Sequence, residues 1–314
     1  MSSYLITGGT GLVGRALIAE LLKSDNQVTV LTRSAKKAST RVLPSVLLVE
    51  KLSQIPSSTA FDYVVNLAGE PIADKRWSRA QKDKLWASRV DLTRELVDWI
   101  KQHQPLPKAL ISGSAVGWYG DGKDQLLTEE SVAHPEYTHS LCQAWESEAL
   151  QLSHTGVRVC VIRTGLIIHP TGGFLQKLLP SFKFFLGAKL GTGQQYMSWI
   201  HIEDMINALL FLMTEHEQGT TKQPLQGVYN LCSPTPVTNS EFTNLVATQL
   251  KRPSVLVVPK LCLRLLLGEM ARILTTGQRV TPLRLSKAGF TFHYPTLKKA
   301  LRHTLANSQS QKLS

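Results

Sequence analysis

The stretch Thr7-Gly8-Gly9-Thr10-Gly11-Leu12-Val13-Gly14-Arg15 constrains this chain more than any other. The apolar run Tyr4-Leu5-Ile6 leads into it and an apolar-periodic stretch leads out, so the glycines sit at a strand-to-helix turn. Gly8 permits a tight turn out of the strand. Gly11 leaves no side chain where a pyrophosphate would approach the backbone, and Gly14 allows the helix to pack closely on the sheet. The unpaired N–H groups and positive end of such a helix suit phosphate. Turns also use glycine for purely conformational reasons, and the spacing here is G-x-x-G-x-x-G. Its position between strand and helix nevertheless predicts a dinucleotide-binding loop, with Gly8, Thr10, Gly11, Leu12, Val13 and Gly14 around the ligand.

The second expected strand, 27–32, ends in Thr32-Arg33-Ser34, and no acidic residue lies between Val28 and Glu50. An acidic side chain at that point normally accepts from the ribose 2′-hydroxyl of NAD. Arg33, with Lys36 and Lys37 close behind, suits a 2′-phosphate through charge-assisted, paired hydrogen bonds. NADP (NADPH) is the cofactor this predicts, with Thr32 and Arg33 at its adenosine end. The plainer reading of Arg33 is a solvated loop residue.

Short apolar runs alternate with amphipathic stretches through about residue 165, the order of βαβ units in an α/β fold. Strands are expected at 4–7, 27–32, 46–49, 63–67, 109–112, 158–163 and 228–232. Helices are expected at 12–23, 78–103 and 135–153, with another from Ser240. The pattern predicts a Rossmann-type, doubly wound parallel sheet over residues 1–235, with 166–200 contributing to a substrate side. Residues 236–314 would form a smaller C-terminal region that covers the cleft.

A chain of 314 residues with 43% hydrophobic and 18% charged residues supports a packed core. The apolar run from Leu261 to Leu267 is broken by Arg264 and is far shorter than the ~20 residues of a membrane span. Its start shows no leader peptide, and the four cysteines are far apart with no C-x-x-C pair, which predicts buried, reduced thiols, no metal site and a cytoplasmic location. The net charge of +12 is spread along the chain, so no nucleic-acid partner is expected, and the lack of a spanning segment gives no membrane partner either. The expected partner is a small-molecule substrate, and the expected assembly a monomer or homodimer.

Further segments carry a resemblance. They include Val65-Asn66-Leu67-Ala68-Gly69-Glu70, Ser88-Arg89, Trp118-Tyr119-Gly120, Arg163-Thr164-Gly165, Gly191-Thr192-Gly193 and Ser198-Trp199-Ile200-His201-Ile202-Glu203-Asp204. Near the end stand Leu267-Gly268-Glu269-Met270 and Gly277-Gln278-Arg279-Val280. With the glycine loop, the chain resembles the extended, nucleotide-sugar-epimerase-like branch of the short-chain dehydrogenase/reductase superfamily. More closely it resembles the atypical YfcH-like NAD-dependent epimerase/dehydratase family, which carries a C-terminal domain of unknown function. The resemblance implies that Leu67, Ala68, Gly69 and Glu70 border the adenosine side, that Arg89 reaches the cofactor, and that Arg163 lies near its nicotinamide half. Read alone, Arg89 fits a helix surface equally well.

Catalytic members of that superfamily place a Tyr and a Lys one helical turn apart, with a Ser near the fifth strand. Tyr119…Lys123 has the spacing but runs through Gly120-Asp121-Gly122, and Tyr294…Lys298 begins with Tyr-Pro near the C-terminus. Neither reads as the pair. In the helix that should bear it, Leu141 and Trp145 occupy the register, and Ala115 falls at the serine position with Ser114 beside it. The remaining candidates for proton chemistry are Ser114 and Tyr119, the latter either acting on a substrate or packing on the cofactor ring. The reading is therefore an NADP-binding, epimerase-like oxidoreductase of unknown substrate. The alternative is a non-catalytic NADP(H) sensor or partner-binding module. Other ideas are a His201–carboxylate pair, an aromatic pocket from Trp77, Trp118, Trp199, Phe174, Phe184 and Phe185, and anion attraction by Lys177 and Lys183.

Overall fold

A computed structural model describes residues 1–169, 172–214 and 224–310, the last four by backbone alone. Seven strands form its main sheet: β1 (Ser3–Thr7), β2 (Gln27–Leu31), β3 (Leu47–Val49), β4 (Tyr63–Asn66), β5 (Ala109–Ala115), β6 (Arg158–Thr164) and β7 (Gly227–Leu231). Their spatial order is β7-β6-β5-β4-β1-β2-β3 and every pairing is parallel. The order reverses between β1 and β4, which makes their C-terminal ends the switch point where doubly wound sheets bind ligands. The expected α/β Rossmann-type sheet is thus what the chain forms.

Alternation along the strands sorts the core into two layers. Ile6, Val30, Val65, Ile111 and Ile162 point to one face, where they meet Leu17 and Ile18 of α1 (Leu12–Leu21). Leu5, Val64, Leu110 and Val161 point to the other, against Leu96, Val97 and Ile100 of the helix Leu92–Gln102. Many of these side chains are fully buried, and each contributes roughly 1.5–3 kcal/mol of transfer free energy.

The helix expected across 78–103 is real but interrupted. It runs as α2 (Arg79–Trp86), a π-helical turn (Ala87–Asp91) and α3 (Leu92–Gln102). β5 extends three residues beyond the expected 112, to Ala115. The next helix, α4 (Tyr137–Leu150), follows close to its expected span.

Beyond the sheet, α5 (Gly173–Lys183), α6 (Ile202–Thr214), α7 (Asn239–Leu250), α8 (Lys260–Leu267) and α9 (Leu297–Ser310) follow in order. A smaller core of Trp199, Phe242, Leu297 and Leu301 joins α7 and α9. Asp204 of α6 anchors the chain ahead of α9, accepting from the N–H groups of His293 and Tyr294 at 2.8 and 2.9 Å. Among the described residues no helix is long and apolar enough to cross a membrane. Cys142, Cys160 and Cys232 are buried as expected, whereas Cys262 is exposed on α8.

Candidate functional site

The glycine loop lies at the switch point, and the backbone leaves no room for side chains there. Gly8 has φ +70°, and a Cβ on it would stand 2.5 Å from the carbonyl carbon of Leu67, just past β4. A Cβ on Gly14 would be 2.4 Å from the Gly8 oxygen. Gly11, exposed at the N-cap of α1, donates to that same oxygen at 2.9 Å. No side chain caps α1 and no acid stands in its first turn, so its leading N–H groups are left for an anion. Thr10, Leu12 and Val13 are partly exposed around this end.

A buried polar chain fixes the loop on its sheet. Thr7 Oγ1 donates to Asn66 Oδ1 at 2.6 Å and accepts from the N–H of Ala68 at 3.2 Å. Asn66 Nδ2 donates to Thr93 Oγ1 at 2.7 Å, which also accepts from Trp145 Nε1 at 2.9 Å. The apolar reading of the strands gave no sign of this network. A buried Thr and Asn at adjacent strand ends, which must find partners inside, was the available signal.

At the end of β2, Thr32 is partly exposed and the Arg33 side chain is 94% exposed, its guanidinium 3.7 Å from Glu70. Residues 67–70 lie partly or fully open beside it. The π-helical turn brings Ser88 and Arg89 behind this segment: Ser88 Oγ accepts from the N–H of Glu70 at 2.9 Å, and Arg89 Nη2 donates to the Glu70 carbonyl at 2.9 Å. Arg89 is therefore no simple surface residue. Burial lowers its pKa, and its guanidinium packs directly under Gly69.

Farther along the sheet edge, Arg163 of β6 engages Glu146 of α4 through two hydrogen bonds of 2.8 Å. Glu146 Oε1 also accepts from Ser114 Oγ at 2.6 Å. The Arg163 guanidinium stacks 3.4 Å from the centre of the Trp118 ring, and its Nη1 is buried without a hydrogen-bond partner. Tyr119 is fully buried and donates to Asn230 at 2.7 Å; burial pushes its phenol up to about 12 despite the Arg163 charge. Glu146 is the member of this cluster that sequence reasoning missed, because its partner is set by tertiary packing.

Leu141 and Trp145 are both buried in a cluster with Trp77, Leu85, Val90 and Met270, and the Trp145 ring packs against Gly113. Lys123 follows the turn at Gly120, which has φ +66°, so Tyr119 and Lys123 share no helical face. Tyr294 Oη donates to Glu203 at 2.9 Å, away from the sheet edge. His201 is buried and held near pKa 4, by desolvation first. The Glu203 carboxylate goes to Tyr294 and His303 instead. The aromatic pocket does not form: Trp77 packs with Tyr137, Trp199 lies in the small core, and Phe184 and Phe185 are exposed. Lys177 pairs with Asp74, while Lys183 is exposed.

Comparison with known proteins agrees with this geometry. The model of the NAD dependent epimerase/dehydratase family matches residues 4–232, and a domain of unknown function, DUF1731, matches residues 258–304. The chain is 37% identical to the chloroplastic epimerase family protein SDR39U1 homolog of Arabidopsis thaliana, over 95% of this chain and 85% of that one. It is 34% identical to an epimerase family protein of Staphylococcus aureus, over 98% and 100% of the two chains. Among solved structures, human epimerase family protein SDR39U1 with NADPH superposes with a TM-score of 0.86 at 27% identity, covering 97% of this chain and 99% of that one. A nucleoside-diphosphate sugar epimerase from Corynebacterium glutamicum gives 0.74 at 29% identity, covering 100% of this chain and 62% of that one.

Proposed function

Because the chain belongs to the NAD dependent epimerase/dehydratase family, we propose that it binds NADP(H) and acts as an epimerase-like oxidoreductase on a small substrate. The observation that carries this reading is the glycine cradle at the β1/β4 switch point with the exposed guanidinium of Arg33 beside it. Gly8, Thr10, Gly11, Leu12, Val13 and Gly14 would hold the pyrophosphate at the end of α1. Thr32 and Arg33 would take the 2′-phosphate. Leu67, Ala68, Gly69 and Glu70 would border the adenosine, with Arg89 stiffening them from behind. The human relative that superposes with this chain holds NADPH, which supports the same assignment.

When bound, the nicotinamide supplies hydride exchange at its C4. The chain's own part is proton handling and orientation. Ser114 points its hydrogen at Glu146, which leaves its lone pairs to accept from a substrate hydroxyl. A proton leaving that hydroxyl would pass to Ser114 as the serine proton moves to Glu146, whose carboxylate Arg163 holds in place through its two hydrogen bonds. Arg163 Nη1, buried without a partner, would be a spare donor for the nicotinamide half. Tyr119 serves better as frame than as acid, since its hydroxyl is committed to Asn230. Residues 236–314 are read as the cover of this cleft.

One observation favours the second reading, a binding module without turnover: apolar Leu141 and Trp145 fill the Tyr–Lys register. A screen of nucleotide sugars and small carbonyl compounds, followed by nicotinamide absorbance, separates the two. The enzyme reading expects turnover that Ser114→Ala reduces while cofactor affinity stays. No turnover with any compound, despite intact NADPH binding, favours the module.

A further inference from the structure

On a water-soluble surface a short helix turns its apolar stripe inward. α8 does the reverse. Only Leu263 is buried, while Leu261, Leu265 and Leu266 are 66–69% exposed along its outer face. The apolar surface continues past the helix. Immediately before it, Val255, Leu256 and Val257 are exposed, and residues 256–258 pair with 188–190. That pairing brings in the end of α5, where Phe184, Phe185 and Leu186 are exposed.

Phe185 closes α5 with φ +63°, in the left-handed position that helix ends usually give to glycine. Leu186 and Phe185 donate back to Ser181 and Phe182 at 2.8 and 3.1 Å to complete this end. A contiguous exposed apolar surface of this kind marks an interaction site.

Its charge identifies the occupant. No Asp or Glu occurs between Glu148 and Glu203, or between Glu241 and Glu269, the two stretches that build this surface. Lys183, Lys251, Arg252, Lys260 and Arg264 are all exposed around it. Among the described residues none of these five has a carboxylate within 4.0 Å. Arg252 lies over the Phe185 ring at 4.4 Å, its charge at the patch edge. Apolar side chains bordered by these five cations match an anionic lipid surface, where the acyl boundary takes the former and the headgroups take the latter.

We propose that this face docks the protein peripherally on anionic membranes, with α8 lying in the interface. This departs from the expectation of no membrane partner, which rested on the lack of a spanning segment. Arg76 donates to the Leu265 carbonyl at 2.7 Å and Lys82 pairs with Glu269 at 2.6 Å, so the docking helix is tied to the segment that leads out of the Gly69 loop.

Flotation of the full chain with vesicles tests this, using phosphatidylcholine alone and phosphatidylcholine mixed with phosphatidylglycerol. Binding is expected only to the mixed vesicles, and salt weakens it. Leu265→Glu, or Leu265→Gln if the first variant fails to melt cooperatively, abolishes it. Reversing Arg252 and Lys260 to Glu weakens it more than about tenfold. Reversing the remote Lys23 and Lys101 leaves it unchanged. Wild-type protein that stays unbound overturns the proposal, as does equal weakening by the remote reversal. A dimer that Leu265→Glu splits, without vesicle binding, would assign the face to a second copy of the chain instead.

Discussion

Glu146 and Arg163 meet as a fully enclosed, two-pronged ion pair, with side chains only 6% and 4% exposed. They come from α4 and β6 and close the ligand edge of the sheet between them. A pair so placed is held by its environment as much as by its own attraction, because neither partner can be rehydrated if the other is lost.

Truncating one member leaves the other buried without its partner, a cost that removing both avoids. Arg163→Met and Glu146→Leu should each lower unfolding stability by about 3–5 kcal/mol, and the double variant by clearly less than the sum. Urea unfolding of the four proteins measures it. Additive losses would mean that the two side chains do not interact in solution.

Tyr119→Phe removes a donor and leaves Asn230 Oδ1 buried without it, although Asn230 still donates to Thr281. A loss of about 1–3 kcal/mol in stability is expected, with little change in NADPH affinity. Unchanged stability combined with lost turnover would return Tyr119 to a role in the chemistry.

Much of this frame was legible in the sequence. Strand positions follow from short β-branched runs, and the starts of the four expected helices fall within two residues of those observed, whereas the helices at 173–183, 202–214, 260–267 and 297–310 were not located. The glycine loop announces the switch point because its spacing has few other uses between a strand and a helix. What was not legible depends on distance in sequence. Nothing local marks the π-helical turn at 87–91, since it contains neither Gly nor Pro, yet that turn sets Arg89 under Gly69. Glu146 reads as one more polar helix residue until Arg163 and Ser114 fold against it. The aromatic pocket failed for the same reason: composition names aromatic residues but does not bring them together.

Gly8→Ala should be the most damaging single change in the loop. Its φ of +70° is unfavourable for alanine, and the added Cβ would stand 2.5 Å from the Leu67 backbone. Strain of about 1–3 kcal/mol is expected, with NADPH affinity falling more than stability because the loop itself must move. Calorimetry with and without cofactor separates the two effects.

Acid should weaken the fold through His201. Its folded pKa of about 4 lies below the ordinary 6.5, with burial the main cause. The unfolded chain then binds the extra proton first, so stability is full above pH 6.5 and falls as pH drops toward 4. At most about 3 kcal/mol is lost over that window. His201→Gln should flatten that part of the stability curve. An unchanged slope in the variant would place the loss elsewhere.

Whether Arg33 reads a 2′-phosphate beside the glycine cradle is tested by titrating the purified chain and Arg33→Ala with NADPH and NADH, following tryptophan fluorescence. NADPH should bind at least about tenfold tighter than NADH in the wild type, with near-equal binding in the variant. Equal affinity for both cofactors in the wild type, unaltered by the substitution, would contradict it.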